Sequence, residues 1–94
     1  MNYEIHPDLD KILLKLSKKD KIQYEQILKK IDEVINSLDI NHYKNLRNPL
    51  QSYKRVHIGH FVLLFKVDDN TIIFRHYDHH DSVYKWKPKD ETNF

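Results

Sequence analysis

Seven histidines stand in this chain of 94 residues, and five of them fall in its second half: His57, His60, His76, His79 and His80. Imidazole titrates near neutrality, so it can take or give a proton at working pH. Read with a period of two, Tyr53, Arg55 and His57 share one face of a strand, while Lys54, Val56 and Ile58 take the other. His80 lies in a polar break, four residues before Tyr84. If neighbouring strands bring these segments together, the set holds a proton acceptor, a second proton carrier, a permanent cation and a phenol. Transesterification at an RNA phosphate uses those parts. A base takes the 2′-OH proton, a cation steadies the charge on the phosphoryl group, and an acid protonates the leaving 5′-oxygen.

The histidines admit two other readings. His57-x-x-His60 and His76-x-x-His79-His80 could bind a metal, since imidazole is a common ligand. Both runs read as strand or turn, however, where an i, i+3 pair points to opposite faces, and neither a cysteine nor a helical His-Glu-x-x-His supports them. The sequence reading therefore assigns no metal and no cofactor. The remaining reading is ordinary polar surface. It suffices for His6 and His42; for the strand cluster, residue pattern alone leaves surface and chemistry both open.

Charge adds a local signal. The net charge is only +2. Yet Lys44, Arg47, Lys54 and Arg55 fall between residues 44 and 60 without an acid among them, a stretch that could hold a polyanion or simply be a solvated surface. The absence of cysteine excludes disulfides, thiol catalysis and cysteine-based zinc sites. No apolar run approaches the roughly 20 residues of a membrane span, and the start Met1-Asn2-Tyr3-Glu4-Ile5-His6-Pro7 lacks the basic and apolar regions of a signal peptide. A cytoplasmic protein with no membrane partner is expected.

The elements that must position these residues follow from periodicity. The chain has no alanine and one glycine, so its hydrophobic content of 39% is almost wholly large side chains, enough for one core in one domain. Asn2–His6 reads as a short strand. Leu9, Ile12, Leu13 and Leu16 recur at helical spacing, and a second stripe runs from Ile22 through Tyr24, Ile27, Leu28, Ile31, Val34 and Ile35 to Leu38. Ser17 or Asp20 could cap the second helix. Residues 39–50 read as a connection with one helical turn. Strands are expected from Tyr53, over Phe61–Val67 and over Thr71–Tyr77, with a break at Asp78–Asp81 and a further strand-like run from Ser82 to Trp86. The expected fold class is α+β: an N-terminal strand and a helix hairpin laid on one face of a small antiparallel sheet, whose other, concave face stays open for function. Residues 1–86 would form the domain and residues 87–94 a loose tail.

The run from Leu46 to Val67, LRNPLQSYKRVHIGHFVLLFKV, together with Ile72-Ile73-Phe74-Arg75 and His80-Asp81-Ser82-Val83-Tyr84, resembles the RelE/ParE superfamily of toxins from type II toxin–antitoxin systems. The element order agrees over roughly residues 2–86. Tyr53-Lys54-x-x-His57-Ile58 and His80-x-x-x-Tyr84 are most similar to the YafQ branch. This resemblance implies a RelE-like fold and a metal-independent endoribonuclease that cleaves mRNA, commonly on the ribosome. Its implied partner is a cognate antitoxin of RelB or DinJ type, which lays an acidic segment over the cleft in a toxin–antitoxin hetero-oligomer. It also implies site roles. His57 matches the strand histidine of the branch, His80 the late histidine and Tyr84 the terminal aromatic. His60 falls near a family carboxylate, and Arg55 falls on a basic, phosphate-contacting position. Lys54, Arg47, Arg75 and Lys85 are the further cations expected to hold RNA. Three positions depart from the pattern: Val62 and His80 stand where RelE-type members carry arginine, and Asn48 stands where YafQ-type members carry histidine. A mechanism led by histidine is thereby favoured over one led by cations. A ParE-like gyrase inhibitor with no RNA cleavage is the alternative.

Overall fold

The computed structural model describes residues 2–88. Strand β1 (Asn2–Ile5) leads into helix α1 (Pro7–Lys19) and helix α2 (Lys21–Ile35); strands β2 (Lys54–Ile58), β3 (Phe61–Asp68) and β4 (Thr71–His79) follow, with short 3-10 turns at Ile40–His42 and Val83–Lys85. The helix boundaries have local causes. The His6 side chain accepts the Asp8 N–H, and Pro7 occupies the first turn, where a missing donor costs nothing. Asp8 and Asp10 lie at the positive end of the α1 dipole, and Lys18 and Lys19 at its negative end. Asp20 ends α1 and caps α2 by accepting the Gln23 N–H at 3.1 Å. The expected cap at Asp20 is thus present, whereas Ser17 lies inside α1 and donates to Leu14 O. Helix α2 stops at Ile35, short of Leu38, which is fully exposed.

The sheet order is β1-β4-β3-β2. β2, β3 and β4 run antiparallel as expected, but β1 pairs in parallel with β4, so the sheet is mixed. A parallel pair needs a long crossover, and the helix hairpin begins it. Side chains alternate across the sheet. Leu63, Phe65, Ile72 and Phe74 face the helices and bury with Leu9, Leu13, Ile27, Ile31 and Val34.

The opposite face is not open, contrary to the expectation. Leu46, Leu50, Tyr53, Val62, Leu64 and Val83 form a second core there, flanked by Tyr84 and Trp86. The run from Ser82 to Trp86 is correspondingly not a strand. Its chain turns at Val83–Lys85 so that Val83 can bury over Val62 and Leu64. β4 also runs on to His79, whose backbone pairs with Phe61, so the polar break begins two residues later than the hydropathy indicates. No helix among the described residues is long and apolar enough to cross a membrane. The tail expected at residues 87–94 falls outside the described residues from position 89 onward.

Candidate active site

β2 is the edge strand, and its register sets the site. His57 pairs with Val62, and Val62 pairs in turn with Asp78. His57, Arg55 and Asp78 therefore share the face opposite the helices, with His57 and Asp78 about 10 Å apart across two interstrand steps. Arg55 is held from its backbone, which donates to Lys44 O at 3.0 Å. An open hollow beside it is lined by His42, Tyr43, Lys44, Arg55, Val56 and His57. His42, read from sequence as mere surface, thus stands beside the site. Among the described residues the His57 imidazole has no hydrogen-bond or ion-pair partner, and it is exposed.

Tyr84 arrives from the second 3-10 turn. Its phenol oxygen accepts the Arg47 N–H at 3.4 Å, and the Arg47 guanidinium lies 5.5 Å from the ring centre. Desolvation raises the phenol pKa, but the Arg47 hydrogen bonds and the charges of Arg47 and Arg55 outweigh it and bring the pKa below the ordinary tyrosine value. Arg47, Arg55 and Tyr84 therefore form one electropositive corner. Lys85 is exposed on the same turn.

The histidines of the turns gather at the end of the sheet. His80 N–H donates to His60 O at 3.0 Å, and the His60 ring centre lies 6.1 Å from that of His80. His79 stacks on His80 at 4.6 Å. Asp81 lies beside both, with its carboxylate 3.1 Å from His80 Nδ1 and 3.5 Å from His79 Nδ1. A carboxylate at Nδ1 orients the His80 ring and leaves Nε2 as the nitrogen not engaged by Asp81.

Two expected RNA contacts are placed otherwise. Arg75 is 3% exposed. It sits at a β-bulge, where Leu64 pairs with His76 and Phe65 with Phe74, so Arg75 has no opposite residue. Its guanidinium covers the Trp86 ring at 4.9 Å and reaches Asp8 at 3.5 Å, a structural role that withdraws it from RNA. Lys54 faces away from Arg55 and donates to Tyr43 O at 3.2 Å and Asn45 Oδ1 at 3.0 Å, fastening the preceding loop to β2. His76, unassigned by sequence reasoning, stacks on Trp86 at 4.4 Å and lies 3.4 Å from Asp78. Burial holds its pKa below the ordinary histidine value, against the opposing pull of Asp78.

Comparison with known proteins agrees with this architecture. Residues 4–84 match the family described as ParE toxin of type II toxin-antitoxin system, parDE. The chain is 56% identical over 87 residues, 89% of its length and 90% of the relative's, to a Methanocaldococcus jannaschii protein named "Putative toxin RelE4". YafQ from E. coli strain BL21(DE3) superposes with a TM-score of 0.69 at 17% identity, covering 88% of this chain and 97% of YafQ. The E. coli DinJ–YafQ complex gives 0.67 at 17% identity, with the same 88% and 97% coverage. The chain belongs to the ParE toxin family, within the RelE/ParE superfamily, and is a toxin of a type II toxin–antitoxin system.

Proposed function

We propose that this toxin is a metal-independent endoribonuclease that cleaves mRNA, with the ribosome as the setting in which the message is presented. The observation that carries the reading is the corner where the Tyr84 phenol meets Arg47 and Arg55, on the sheet face from which His57 projects. A guanidinium pair suits a phosphate, because it stays charged at any working pH. The 2′-oxygen attacks phosphorus and gives up its proton to one histidine. The P–O5′ bond breaks, and the leaving 5′-oxygen takes a proton from the other. The products are a 2′,3′-cyclic phosphate and a 5′-hydroxyl end. His57 and His80 divide the two proton transfers, Arg55 and Arg47 hold the phosphoryl charge, and Tyr84 supports the phosphate through its acidified phenol. His60 positions the turn that carries His80, and Lys85 extends the cationic rim.

The partner in this reading is an antitoxin of RelB or DinJ type, supported by the likeness to YafQ in its complex with DinJ. It presents an acidic segment to the Arg47–Arg55 corner and apolar groups to the helix hairpin, where Leu14 and Ile22 are exposed. The match to the ParE family favours a second reading, a gyrase-directed toxin without RNA cleavage. Primer extension on a translated message separates the two: new 5′ ends made by the wild type and lost in Arg55→Ala support cleavage. Absence of any new end, with supercoiling by gyrase inhibited, would establish the second reading. Antitoxin peptide and a short RNA should compete for the toxin, and simultaneous saturation by both would refute direct masking of the cleft.

A further inference from the structure

We infer that the end of the sheet carries a binding site for a late first-row divalent cation, Zn2+ foremost, built from His79, His80 and Asp81. In a continuing strand, neighbouring side chains would point to opposite faces and could not share an ion. The strand ends at His79, however, and the chain turns there, so consecutive residues face one another. One ligand atom from each of His79, His80 and Asp81 lies within 4.8 Å of the others. The Asp81 carboxylate stands 3.1 Å from His80 Nδ1 and 3.5 Å from His79 Nδ1. Donors 2.0–2.1 Å from a tetrahedral Zn2+ lie about 3.3–3.4 Å from each other, so the His80 Nδ1–Asp81 Oδ1 separation is close to one edge of that shell. The His79 contact is to the other oxygen, Oδ2, and His79 Nδ1 also accepts the Asp81 N–H at 3.2 Å.

Two imidazoles at tetrahedral corners of one zinc have centres about 5 Å apart, given the same bond length. The His79 and His80 centres, 4.6 Å apart, are near that separation. The His60 centre, in contrast, lies 6.2 Å from that of His79 and 6.1 Å from that of His80, so the fourth corner is left to solvent. Two imidazoles and one carboxylate favour zinc, nickel or copper over magnesium or calcium, which prefer oxygen ligands. The cluster is exposed enough for an ion to enter: the side chains of His79, His80 and Asp81 are 38%, 46% and 73% exposed.

The consequence for catalysis rests on the nuclease reading: an occupied site removes His80 from proton transfer and turns cleavage off.

The test uses the full, untagged chain without RNA, which keeps it separate from the nuclease reading. Co2+ is titrated and followed by its visible d–d absorption, and Zn2+ is then added in competition with a chromophoric chelator. One equivalent of cobalt should bind with the intense spectrum of a four-coordinate site and be displaced by zinc. Asp81→Asn and His80→Ala should each weaken binding at least about tenfold, the lower end of what removal of a mere supporting group costs. Asp81 is highly exposed, so its variant reports on binding rather than on folding. His42→Ala should bind as the wild type does. Absence of one-to-one uptake, equal uptake by the Asp81→Asn and His80→Ala variants, or loss of uptake in His42→Ala would overturn the site.

Discussion

The two faces of the sheet are built differently, although they share the same strands. Leu63 and Leu64 are consecutive and both wholly buried, yet they enter different cores. Leu63 lies under two helices, among aliphatic and aromatic side chains. Leu64 lies under a loop and a 3-10 turn, and the periphery of its core is charged: Arg75 and His76 both pack on Trp86, and Arg47 packs on Tyr84. A helix face buries a stripe and leaves its polar atoms outside. A face covered by irregular chain has to use amphipathic side chains, whose apolar bodies pack while their polar ends reach the rim. The proposed chemistry falls on that second face because its cover is incomplete, ending where Arg55 and His57 emerge.

The largest effect is expected from removing the proposed proton carriers at the rim of the second face. His57→Ala and His80→Ala should each lower cleavage of a translated message by about 10²–10⁴, the usual cost of losing a general acid or base. Thermal unfolding should barely move for His57→Ala, because among the described residues its exposed ring has no hydrogen-bond or ion-pair partner to lose. Full cleavage by both variants would remove the two histidines from the mechanism.

A second test puts the two faces directly against each other. Leu63→Ala should cost about 4 kcal/mol in chemical denaturation, near the upper part of the range for a leucine in a rigid site. Leu64→Ala should cost about 2–3 kcal/mol, because the loop over it can partly collapse into the space. Leu64→Ala should also lower activity more than its stability loss accounts for, since Val83 and hence Tyr84 rest on that core. Equal stability losses with equal activities would erase the distinction between the faces.

Much of this arrangement was legible from residue order, and the illegible parts share one cause. The stripes of α1 and α2 and the alternation in β2 and β3 are local patterns, and the turn at Gly59 takes a positive φ of 61° that glycine tolerates. The resemblance carried the family, and the pairing of Arg55 with His57 on one face followed from the period of two. What escaped depends on contacts distant in sequence. The parallel pairing of β1, the burial of Arg75 at a bulge and the second core of Leu46, Leu50 and Val83 are set by tertiary packing. Val83-Tyr84 has strand-like composition, but the uncovered Val62 and Leu64 draw it into a turn. The late end of β4 likewise brought His79, His80 and Asp81 together, which no spacing rule for a regular strand anticipates.

His76 offers a pH test of the second face. Burial lowers its folded pKa below the unfolded value near 6.5, so the unfolded chain binds more protons in that region. The contribution to stability is present in full above about pH 6.5 and is lost as pH falls through the unfolded value toward the folded one. Denaturation midpoints should therefore drop on acidification from neutrality, and His76→Phe, which keeps a ring against Trp86, should flatten that part of the profile. An identical slope in the variant would assign the pH dependence to other groups.

The smallest expected effect concerns the phosphate corner. Arg55 shares a face with His57, and its charge reaches the Tyr84 phenol, whereas the guanidinium of Arg75 is buried on Trp86. Each phosphate contact on single-stranded RNA adds about 0.7 to the slope of log K against log salt, because counterions are released. Arg55→Ala should reduce that slope by about one such increment, measured by fluorescence anisotropy with a short RNA over a range of salt. Arg75→Met keeps much of the bulk over Trp86 and should leave the slope unchanged even if it lowers stability. If the Arg75 variant moved the slope and the Arg55 variant did not, the RNA would have to approach by another route than the rim of the second face.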